Sequence, residues 1–165
     1  MSASDAFLPD DLFRLLGELG IATTTVTHPP VLTMAESRTV RGAAPGTVCK
    51  NLLLRDPGGA LFLVVTHEHR RLDLKALAGE LGAGRLSFAG HDEMGRVLGI
   101  GAGTATPFAA INDRAGTVRI VIERSLMDTP LLCFHPLVNT MTTAIAPADL
   151  LLFLAAVDHP PLLFD

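Results

Sequence analysis

A turn sequence between two apolar runs is the feature that most constrains how this chain folds. The turn is Asp56-Pro57-Gly58-Gly59, and each of its residue types favours a tight reversal of the chain. The run before it, Val48 to Leu54, and the run after it, Ala60 to Thr66, are predominantly apolar. Together they predict a hairpin, and the alternation of side chains along its first strand places Lys50 on one face and Asn51 on the other.

Leucine spacing, glycines and prolines predict the other elements. A leucine repeat between residues 8 and 19 has helical spacing and ends at Gly20. Further helices are expected at about 72–81, 92–98 and 147–157, with a short one after the capping-box sequence at 33–36. Further strands are expected at 23–27, 85–89, 118–123, 131–134 and 141–145.

Hairpin-type connections therefore mix with helices and do not form a regular βαβ array. This arrangement predicts fold class α/β (α+β type), with a mixed, largely antiparallel sheet flanked by helices. The 165 residues contain no internal repeat, low-complexity tract or linker, so a single domain spanning residues 1–165 is expected.

Composition excludes several classes of protein. Apolar residues make up 48% of the chain and charged residues 18%, which excludes disorder as the main state. Two cysteines are too few for a disulfide scaffold or a four-cysteine zinc site, and they favour a reducing compartment. The N-terminus lacks the apolar segment of a signal peptide, and the longest apolar run, residues 150–157, is too short to span a bilayer. We therefore expect a cytoplasmic protein with no membrane partner.

Charge and aromatic content bear on nucleic-acid binding. The net charge is −4 and the chain has no Trp or Tyr, which argues against DNA binding and against a broad stacking surface for single strands. Basic residues are concentrated between Arg38 and Lys75, where seven basic and three acidic residues give a local charge of +4. A locally positive face on an acidic protein suits a limited contact with phosphate groups, but the same charges also suit an ordinary solvated surface.

Lys50 and a glycine-rich loop are the strongest candidates for chemistry. Lys50 is one of two lysines against eleven arginines. Its ammonium group, among apolar strand neighbours, has to be paired, line a cleft, or extend to water along its own stem. The loop at residues 99–107 contains three glycines, which let backbone N–H groups approach an anion or a carbonyl oxygen. It matches neither the Walker loop nor the dinucleotide fingerprint, and a plain connection between elements is the alternative.

Histidines and cysteines form no recognisable metal site or activated nucleophile. His67 and His69 flank Glu68, but the spacing is not that of a zinc protease helix, and no third ligand is suitably spaced. Cys133 and His135 point to the same side of a strand, which does not suit a catalytic pair. A Gly-x-Ser-x-Gly motif is absent from the sequence. No bound metal is expected.

Four segments occur in an order that resembles a known family. They are Thr27-His28-Pro29-Pro30-Val31, Cys49-Lys50-Asn51-Leu52-Leu53-Leu54-Arg55-Asp56, Gly103-Thr104-Ala105-Thr106-Pro107-Phe108 and Phe134-His135-Pro136-Leu137-Val138-Asn139-Thr140. Over residues 12–157 the chain resembles the YbaK/prolyl-tRNA synthetase-associated editing-domain family, and most closely its free-standing ProX type. The lysine–asparagine strand and the Gly-x-x-x-Pro loop are fairly specific when they occur together.

The resemblance implies a fold and an activity. The fold would be that of the YbaK and prolyl-tRNA synthetase editing domains. The activity would be trans-editing, in which a deacylase hydrolyses mischarged alanyl-tRNA(Pro) with a positioned water and with no metal, cofactor or covalent enzyme intermediate. The implied partners are the acceptor end of tRNA(Pro) and prolyl-tRNA synthetase. A cysteinyl-tRNA(Pro) deacylase, a non-catalytic tRNA-end binding module and a small-molecule hydrolase unrelated to tRNA stay open as alternatives.

The resemblance also implies roles for individual residues. Lys50 matches the functionally essential lysine, and Gly103 begins the loop whose backbone positions the aminoacyl carbonyl, so these two are the candidate catalytic residues. The candidate substrate-binding residues are Met34, Asn51, Gly101, Ala102, Thr104, Thr106, Pro107 and His135. Met34, the loop and the segment around His135 are expected to form a small apolar pocket that admits alanine and excludes proline by size.

Overall fold

The computed structural model describes residues 6–30, 45–101 and 103–165. Its helices are α1 (Pro9–Glu18), α2 (Leu74–Leu81), α3 (His91–Leu98) and α4 (Pro147–Ala156), with 3₁₀ helices at Pro107–Asn112 and Arg124–Asp128. Its strands are β1 (Thr24–Thr27), β2 (Thr47–Arg55), β3 (Leu61–His67), β4 (Ser87–Phe88), β5 (Val118–Glu123), β6 (Leu132–Phe134), β7 (Met141–Ile145) and β8 (Leu162–Phe164). The short helix predicted after residues 33–36 falls outside the described residues.

The strands of the described segments form one sheet in the order β1-β7-β6-β2-β3-β5-β8, and β4 pairs with β2 beside this path. The antiparallel pairs are β1–β7, β6–β7, β2–β3 and β2–β4. The parallel pairs are β2–β6, β3–β5 and β5–β8. The mixed, largely antiparallel sheet expected from the sequence is confirmed. The hairpin is confirmed too, with Arg55 of β2 paired to Leu61 of β3.

The two faces of the sheet carry separate hydrophobic cores. The larger core takes Cys49 and Leu53 from β2 and packs them with buried residues of α1, α3, α4 and the first 3₁₀ helix. The smaller core takes Leu54 from β2 and packs it with Leu77 and Ala78 of α2. Because neighbouring residues of a strand point to opposite faces, β2 contributes alternate side chains to the two cores. This alternation determines on which face each polar side chain of β2 lies.

Local sequence signals account for the ends of several elements. The Asp73 side chain accepts hydrogen bonds from two backbone N–H groups in the first turn of α2, each at 3.1 Å. The same helix ends at Gly82, whose φ of +64° is the left-handed conformation that glycine adopts without strain. In the hairpin turn, Asp56 Oδ1 accepts from the Ala60 N–H at 2.9 Å, so the turn is closed by a side chain as well as by the backbone.

Two 3₁₀ helices and β8 are present that the sequence pattern did not predict, and the strand expected at 85–89 is reduced to Ser87–Phe88. β8 has three residues and exists through its parallel pairing with β5, a contact that local sequence does not encode. The first 3₁₀ helix is a continuous buried run, which has no periodicity to distinguish helix from loop. No helix within the described ranges is both long and apolar enough to cross a bilayer.

Candidate active site

Lys50 lies in the middle of β2, on the face that carries the smaller core. Its side chain is half-buried, and Nζ donates a hydrogen bond to the main-chain carbonyl of Arg70 at 2.5 Å. Its cross-strand neighbour on β3 is Thr66. In the described part of the chain, no carboxylate forms an ion pair with this ammonium group. Among the described residues, Lys50 is therefore held by a neutral acceptor and not by a carboxylate, which suits a group that meets a substrate's negative charge.

A buried carboxylate, Glu123, lies in the same row of the sheet as Lys50 and Thr66. Its Oε1 accepts a hydrogen bond from the Thr66 hydroxyl and lies 3.1 Å from the Arg70 guanidinium. Its Oε2 accepts from the Ser125 hydroxyl at 2.7 Å and lies 3.5 Å from the His67 ring. Burial alone would raise the pKa of Glu123, but hydrogen bonds from Thr66, Ser125 and Arg70 outweigh it and hold the pKa below its ordinary value. Glu123 is therefore ionised at neutral pH.

The sequence analysis did not single out Glu123 or Thr66 as functional residues. A signal for them was present, because each polar residue directly follows a run of apolar residues in its strand, 61–65 in β3 and 120–122 in β5. Strands β3 and β5 run parallel and in register, so their ends meet at the same edge of the sheet. Arg70 carried no such signal, because the partners of its side chain, Glu123 and Asp165, are distant from it in sequence.

One edge of β2 is only partly paired. At the start of β2, the Thr47 N–H donates to the Leu131 carbonyl at 2.9 Å, beside β6. Near its end, the Leu53 carbonyl accepts from the Ala89 N–H at 2.9 Å, beside β4. Alternate residues of a strand direct their backbone groups to the same edge, so Asn51 also faces this edge. No described strand pairs with β2 between these two points, and we call this interval, residues 50–52, the free edge of β2.

Asn51 adds an unsatisfied polar group at the free edge. Its side chain lies on the face of the larger core, between Cys49 and Leu53, and among the described residues its buried Oδ1 has no hydrogen-bond partner. A buried acceptor without a partner costs on the order of 1–3 kcal/mol. Since buried polar groups in native proteins are nearly always satisfied, this oxygen is suited to accept a hydrogen bond from a ligand.

The positions of Lys50 and Asn51 restrict where a shared ligand can bind. As consecutive residues of a strand, they extend to opposite faces of the sheet. A ligand on one face alone would meet only one of them, whereas a ligand at the free edge of β2 can reach both. The free edge is therefore the centre of the candidate active site.

The first part of the glycine-rich loop forms a tight turn that exposes its backbone. The Thr104 N–H donates to the Gly101 carbonyl at 3.3 Å, and both Gly101 and Gly103 are exposed. Gly103 has a φ of +75°, a conformation that any residue with a side chain adopts only with strain. The turn can therefore present backbone N–H groups to a ligand oxygen.

The second part of this loop is anchored on the face of the larger core. Thr106 Oγ1 accepts from the Phe108 N–H at 3.3 Å and caps the first 3₁₀ helix, which begins with the buried Pro107. Phe108 is completely buried and packs edge-to-face on Phe134 of β6, with ring centroids 5.9 Å apart. The loop thus lies on the same face of the sheet as the Asn51 side chain.

His135 directly follows β6, beside a second histidine. Its Nδ1 lies 2.8 Å from the Met141 carbonyl, which assigns the proton to Nδ1, and its ring centroid lies 6.0 Å from that of His28. His28 Nε2 in turn lies 2.7 Å from the Thr142 hydroxyl. Burial lowers the pKa of His135, the Met141 hydrogen bond opposes this, and the proximity of His28 adds to the lowering. His135 is therefore neutral at pH 7, with Nε2 as a hydrogen-bond acceptor.

The structure brings part of the predicted site together. Because β6 runs parallel to β2 and pairs Cys133 with Val48, His135 reaches the level of Lys50 two residues later. Lys50, Asn51 and His135 therefore share one region, and the loop carrying Gly103 lies on the Asn51 side of the sheet. Met34 and Ala102, two of the predicted substrate-binding residues, lie outside the described residues, and their roles stay predictions.

The histidines that invited a metal interpretation face different carboxylates. The His67 ring faces Glu123 at 3.5 Å, and the His69 ring faces Glu68 at 3.1 Å. Within residues 6–30, 45–101 and 103–165, no three His, Cys, Asp or Glu side chains form a group that could hold a metal ion.

The two cysteines are buried in the sheet. Burial raises the pKa of the Cys133 thiol to about 11. Burial, with further contributions from neighbouring acidic groups, raises the pKa of the Cys49 thiol as well. Both side chains are therefore protonated at neutral pH, and neither has the properties of a nucleophilic thiolate.

Comparison with known proteins identifies the family. The family described as "Aminoacyl-tRNA editing domain" matches residues 28–153. The prolyl-tRNA editing protein ProX of Acetoanaerobium sticklandii is 33% identical over 136 residues, covering 82% of this chain and 83% of that protein. Prolyl-tRNA synthetase associated domain-containing protein 1 of Danio rerio is 36% identical over 161 residues, covering 96% of this chain and 87% of that protein.

Solved structures agree on the fold. The crystal structure of a candidate trans-editing enzyme for prolyl-tRNA synthetase matches with a TM-score of 0.71 at 20% identity, over 96% of this chain and 98% of that one. This likeness concerns the fold alone, whereas the family match and the sequence relatives extend over most of the chain. The chain therefore belongs to the aminoacyl-tRNA editing domain family and is an aminoacyl-tRNA hydrolase.

Proposed function

We propose that this protein is a trans-editing deacylase that hydrolyses alanyl-tRNA(Pro) and recognises the acceptor end of that tRNA. The observation that carries the proposal concerns two consecutive residues of β2. Among the described residues, Asn51 Oδ1 has no hydrogen-bond partner, and the Lys50 ammonium group is bound by a carbonyl and by no carboxylate. An aminoacylated 3′-terminal adenosine has groups that match both, namely hydrogen-bond donors on the aminoacyl amine and ribose, and a negatively charged phosphate. The names of two relatives, which refer to prolyl-tRNA editing and prolyl-tRNA synthetase association, support the choice of tRNA.

The proposed reaction needs no covalent intermediate on the enzyme. The ester bond of an aminoacyl-tRNA is already activated, so a positioned water attacks the carbonyl carbon. The bond to the ribose oxygen then breaks, and that oxygen takes up a proton released by the water. The neighbouring ribose hydroxyl of the substrate orients the water, which makes the step effectively intramolecular. Neither a metal nor another cofactor enters this scheme.

Each candidate residue has a role in this scheme. Backbone N–H groups at Gly103 stabilise the negative charge that develops on the carbonyl oxygen. Lys50 holds the terminal adenosine or its phosphate and adds positive potential where that charge develops. Asn51 Oδ1 accepts a hydrogen bond from the aminoacyl ammonium, which satisfies it in the bound state. His135, neutral and half-buried, lines the amino-acid pocket.

Specificity is proposed to depend on size. An apolar pocket gains only about 1–3 kcal/mol from one methyl group, so attraction alone does not select alanine strongly. A small pocket excludes larger residues more effectively, because overpacking a close-fitting site is itself destabilising. The alanyl group therefore enters, and prolyl-tRNA(Pro), the correct product of the synthetase, is spared. If Met34 is a wall of this pocket, Met34→Ala admits bulkier aminoacyl groups and the wild-type chain does not.

A comparison of four substrates tests the proposal. Wild-type protein is incubated with alanyl-, cysteinyl- and prolyl-tRNA(Pro) and with free alanine methyl ester, with and without prolyl-tRNA synthetase. We expect fast release of alanine, intact prolyl-tRNA(Pro) and little hydrolysis of the free ester. Preferential release of cysteine identifies a cysteinyl-tRNA(Pro) deacylase, and binding without release identifies a tRNA-end binding module. Equal hydrolysis of the free ester identifies a small-molecule hydrolase, and efficient hydrolysis of prolyl-tRNA(Pro) contradicts the size-based selection.

A further inference from the structure

The contacts around Lys50 point to residues that hold its side chain in position. The Lys50 ammonium hydrogen-bonds to the main chain of Arg70 and to no described side chain. The Arg70 carbonyl lies in a short turn after β3, where the Arg70 N–H donates to the His67 carbonyl at 3.1 Å. The turn follows the last residue of β3, so the position of the Arg70 carbonyl depends on the side chains that anchor the turn to the sheet.

The Arg70 side chain provides that anchor. Its guanidinium lies 3.1 Å from Glu123 Oε1 on β5 and donates to the Asp165 carbonyl at 2.9 Å, directly after β8. The same group lies over the Phe164 ring, 5.0 Å from the centroid, a cation–π geometry. Three contacts to two strands thus fix a residue whose own carbonyl holds Lys50.

Glu123 connects this anchor to Lys50 by a second route. Glu123 is 5% exposed, and its carboxylate also accepts a hydrogen bond from the Thr66 hydroxyl. Thr66 is the residue paired with Lys50 across the hairpin. Glu123 therefore restrains both the turn that holds the ammonium group and the strand position opposite Lys50. Its charge is balanced by Arg70, so it supports Lys50 without forming an ion pair with it.

We propose that Arg70 and Glu123 are positioning residues for hydrolysis, which hold the Lys50 ammonium group in place on the smaller-core face of β2, and that the C-terminal strand β8 belongs to this support. The inference rests on the proposed function of Lys50 in aminoacyl-tRNA hydrolysis. Arg70→Ala is the most informative variant, because it keeps the carbonyl that contacts Lys50 and removes only the side chain that anchors it. Arg124→Ala is its matched control, because Arg124 also contacts Asp165, at 2.9 Å, but is exposed and makes no described contact with Glu123.

Kinetics give the first test. We expect Arg70→Ala and Glu123→Gln to lower kcat for alanyl-tRNA(Pro) by about tenfold or more, since misplaced electrostatic groups typically cost at least that. Arg124→Ala should stay within about twofold of wild type, the range of an ordinary surface substitution. Arg70→Lys should recover part of the loss. In a Lys50→Ala background, measured in single-turnover reactions, Arg70→Ala should cause no further loss, because residues that act as a unit are not additive. Independent, multiplying losses would overturn the proposal.

Spectroscopy gives the second test and does not depend on activity. With only two lysines in the chain, protein labelled with ¹³C-lysine gives two sets of side-chain NMR signals, and Lys75→Arg assigns them. We expect Arg70→Ala and Glu123→Gln to shift the Lys50 ε-methylene signal, and Arg124→Ala to leave it unchanged. An unchanged Lys50 signal in Arg70→Ala contradicts the inference.

The two tests separate failure of the inference from failure of the proposed function. If the wild-type protein releases no amino acid from any tRNA, the proposed function fails and the Lys50 signal alone decides the inference. If Glu123→Gln does not unfold cooperatively, Arg70→Ala decides the inference. The Arg70 side chain is one-third exposed, and without it the Glu123 carboxylate still accepts hydrogen bonds from Thr66 and Ser125, so this variant is expected to fold.

Discussion

His159 and Asp113 form a buried pair in which Nε2 of the histidine lies 2.9 Å from Oδ2 of the carboxylate, with side chains 4% and 3% exposed. The other ring nitrogen of His159 lies 2.6 Å from the Val157 carbonyl. Asp113 also accepts hydrogen bonds from the backbone N–H groups of Thr117 and Val118 and from the Thr117 hydroxyl. One carboxylate therefore joins the segment after α4 to the turn that precedes β5. This pair is not part of the candidate active site.

The first prediction concerns stability. Asp113→Asn should lower the free energy of unfolding by about 3 kcal/mol, because both carboxylate oxygens accept hydrogen bonds and an amide turns one of these buried acceptors into a donor that faces other donors. Denaturant unfolding measures the change, and Asp128→Asn, at an exposed position, is the control. A loss no larger than that of the control would show that the pair contributes little.

The same pair predicts a pH dependence. Burial alone would raise the pKa of Asp113, but hydrogen bonds from His159, Thr117 and Val118 outweigh it and hold the pKa below its ordinary value. The ionised form therefore stabilises the fold fully above the unfolded-state pKa of about 3.9, and this contribution is lost as the pH falls through the folded-state value. The stability difference between wild type and Asp113→Asn should shrink in that acidic range. A constant difference from pH 7 to pH 3 contradicts this account.

The third prediction concerns Lys50. Lys50→Ala should largely abolish deacylation of alanyl-tRNA(Pro) while its circular dichroism and Tm stay close to those of the wild type, since within the described ranges the ammonium group bonds only to a turn carbonyl. Lys75→Ala removes the same charge from an exposed position of α2 and should remain active. Near-normal turnover by Lys50→Ala would exclude Lys50 from the mechanism.

The fourth prediction concerns metals. Because the described His, Cys, Asp and Glu side chains form no group of three, EDTA or a zinc chelator should leave deacylation unchanged. The measurement is the initial rate before and after exhaustive dialysis against the chelator. Loss of activity that one added metal restores would overturn the prediction and return attention to His67 and His69.

The fifth prediction concerns the basic region around Arg71. The sequence suggests phosphate contacts by Arg38, Arg41, Arg70 and Arg71, but the Arg70 guanidinium is occupied by Glu123 and the C-terminus. Arg38 and Arg41 lie outside the described residues, which leaves the exposed Arg71 as the described candidate.

If Arg71 contacts a phosphate, kcat/KM should fall with rising salt, and Arg71→Ala should reduce the slope of log kcat/KM against log salt by about 1. Arg119→Ala, exposed on β5 and outside the basic region, serves as the comparison. A salt-independent rate in the wild type would show that the basic region makes no phosphate contact that affects the reaction.

Local patterns predicted those parts of the fold that depend on neighbouring residues. The turn at Asp56-Pro57-Gly58-Gly59 and the strand periodicity predicted the β2–β3 hairpin and the opposite orientations of Lys50 and Asn51, because both follow from turn chemistry and a two-residue repeat. The parallel pairs β2–β6 and β5–β8 were not predictable in this way. They join segments distant in sequence, and their registers depend on the packing of the whole sheet.

The candidate site likewise has features that local sequence predicts and features that only the structure shows. Lys50 and the glycine-rich loop carry sequence signals. The free edge of β2 carries none, because it is the interval of β2 between the residues that pair with β6 and those that pair with β4. The support of Lys50 likewise depends on contacts between separate segments, since Arg70 lies 20 residues from Lys50 and its partner Glu123 lies on another strand, β5. Sequence singled out Lys50 as the candidate that meets the substrate, and the structure was needed to show which residues contact it.

The unsatisfied oxygen of Asn51 implies a trade-off between durability and activity. Replacing it with an apolar residue of similar size, as in Asn51→Leu, removes a buried acceptor without a partner and should raise stability by roughly 1 kcal/mol, or about 2–4 °C in Tm for a chain of this size. The same change should impair hydrolysis. Selection for heat resistance alone would then favour loss of the asparagine, so its presence in a heat-resistant relative would signal that catalysis is being maintained there.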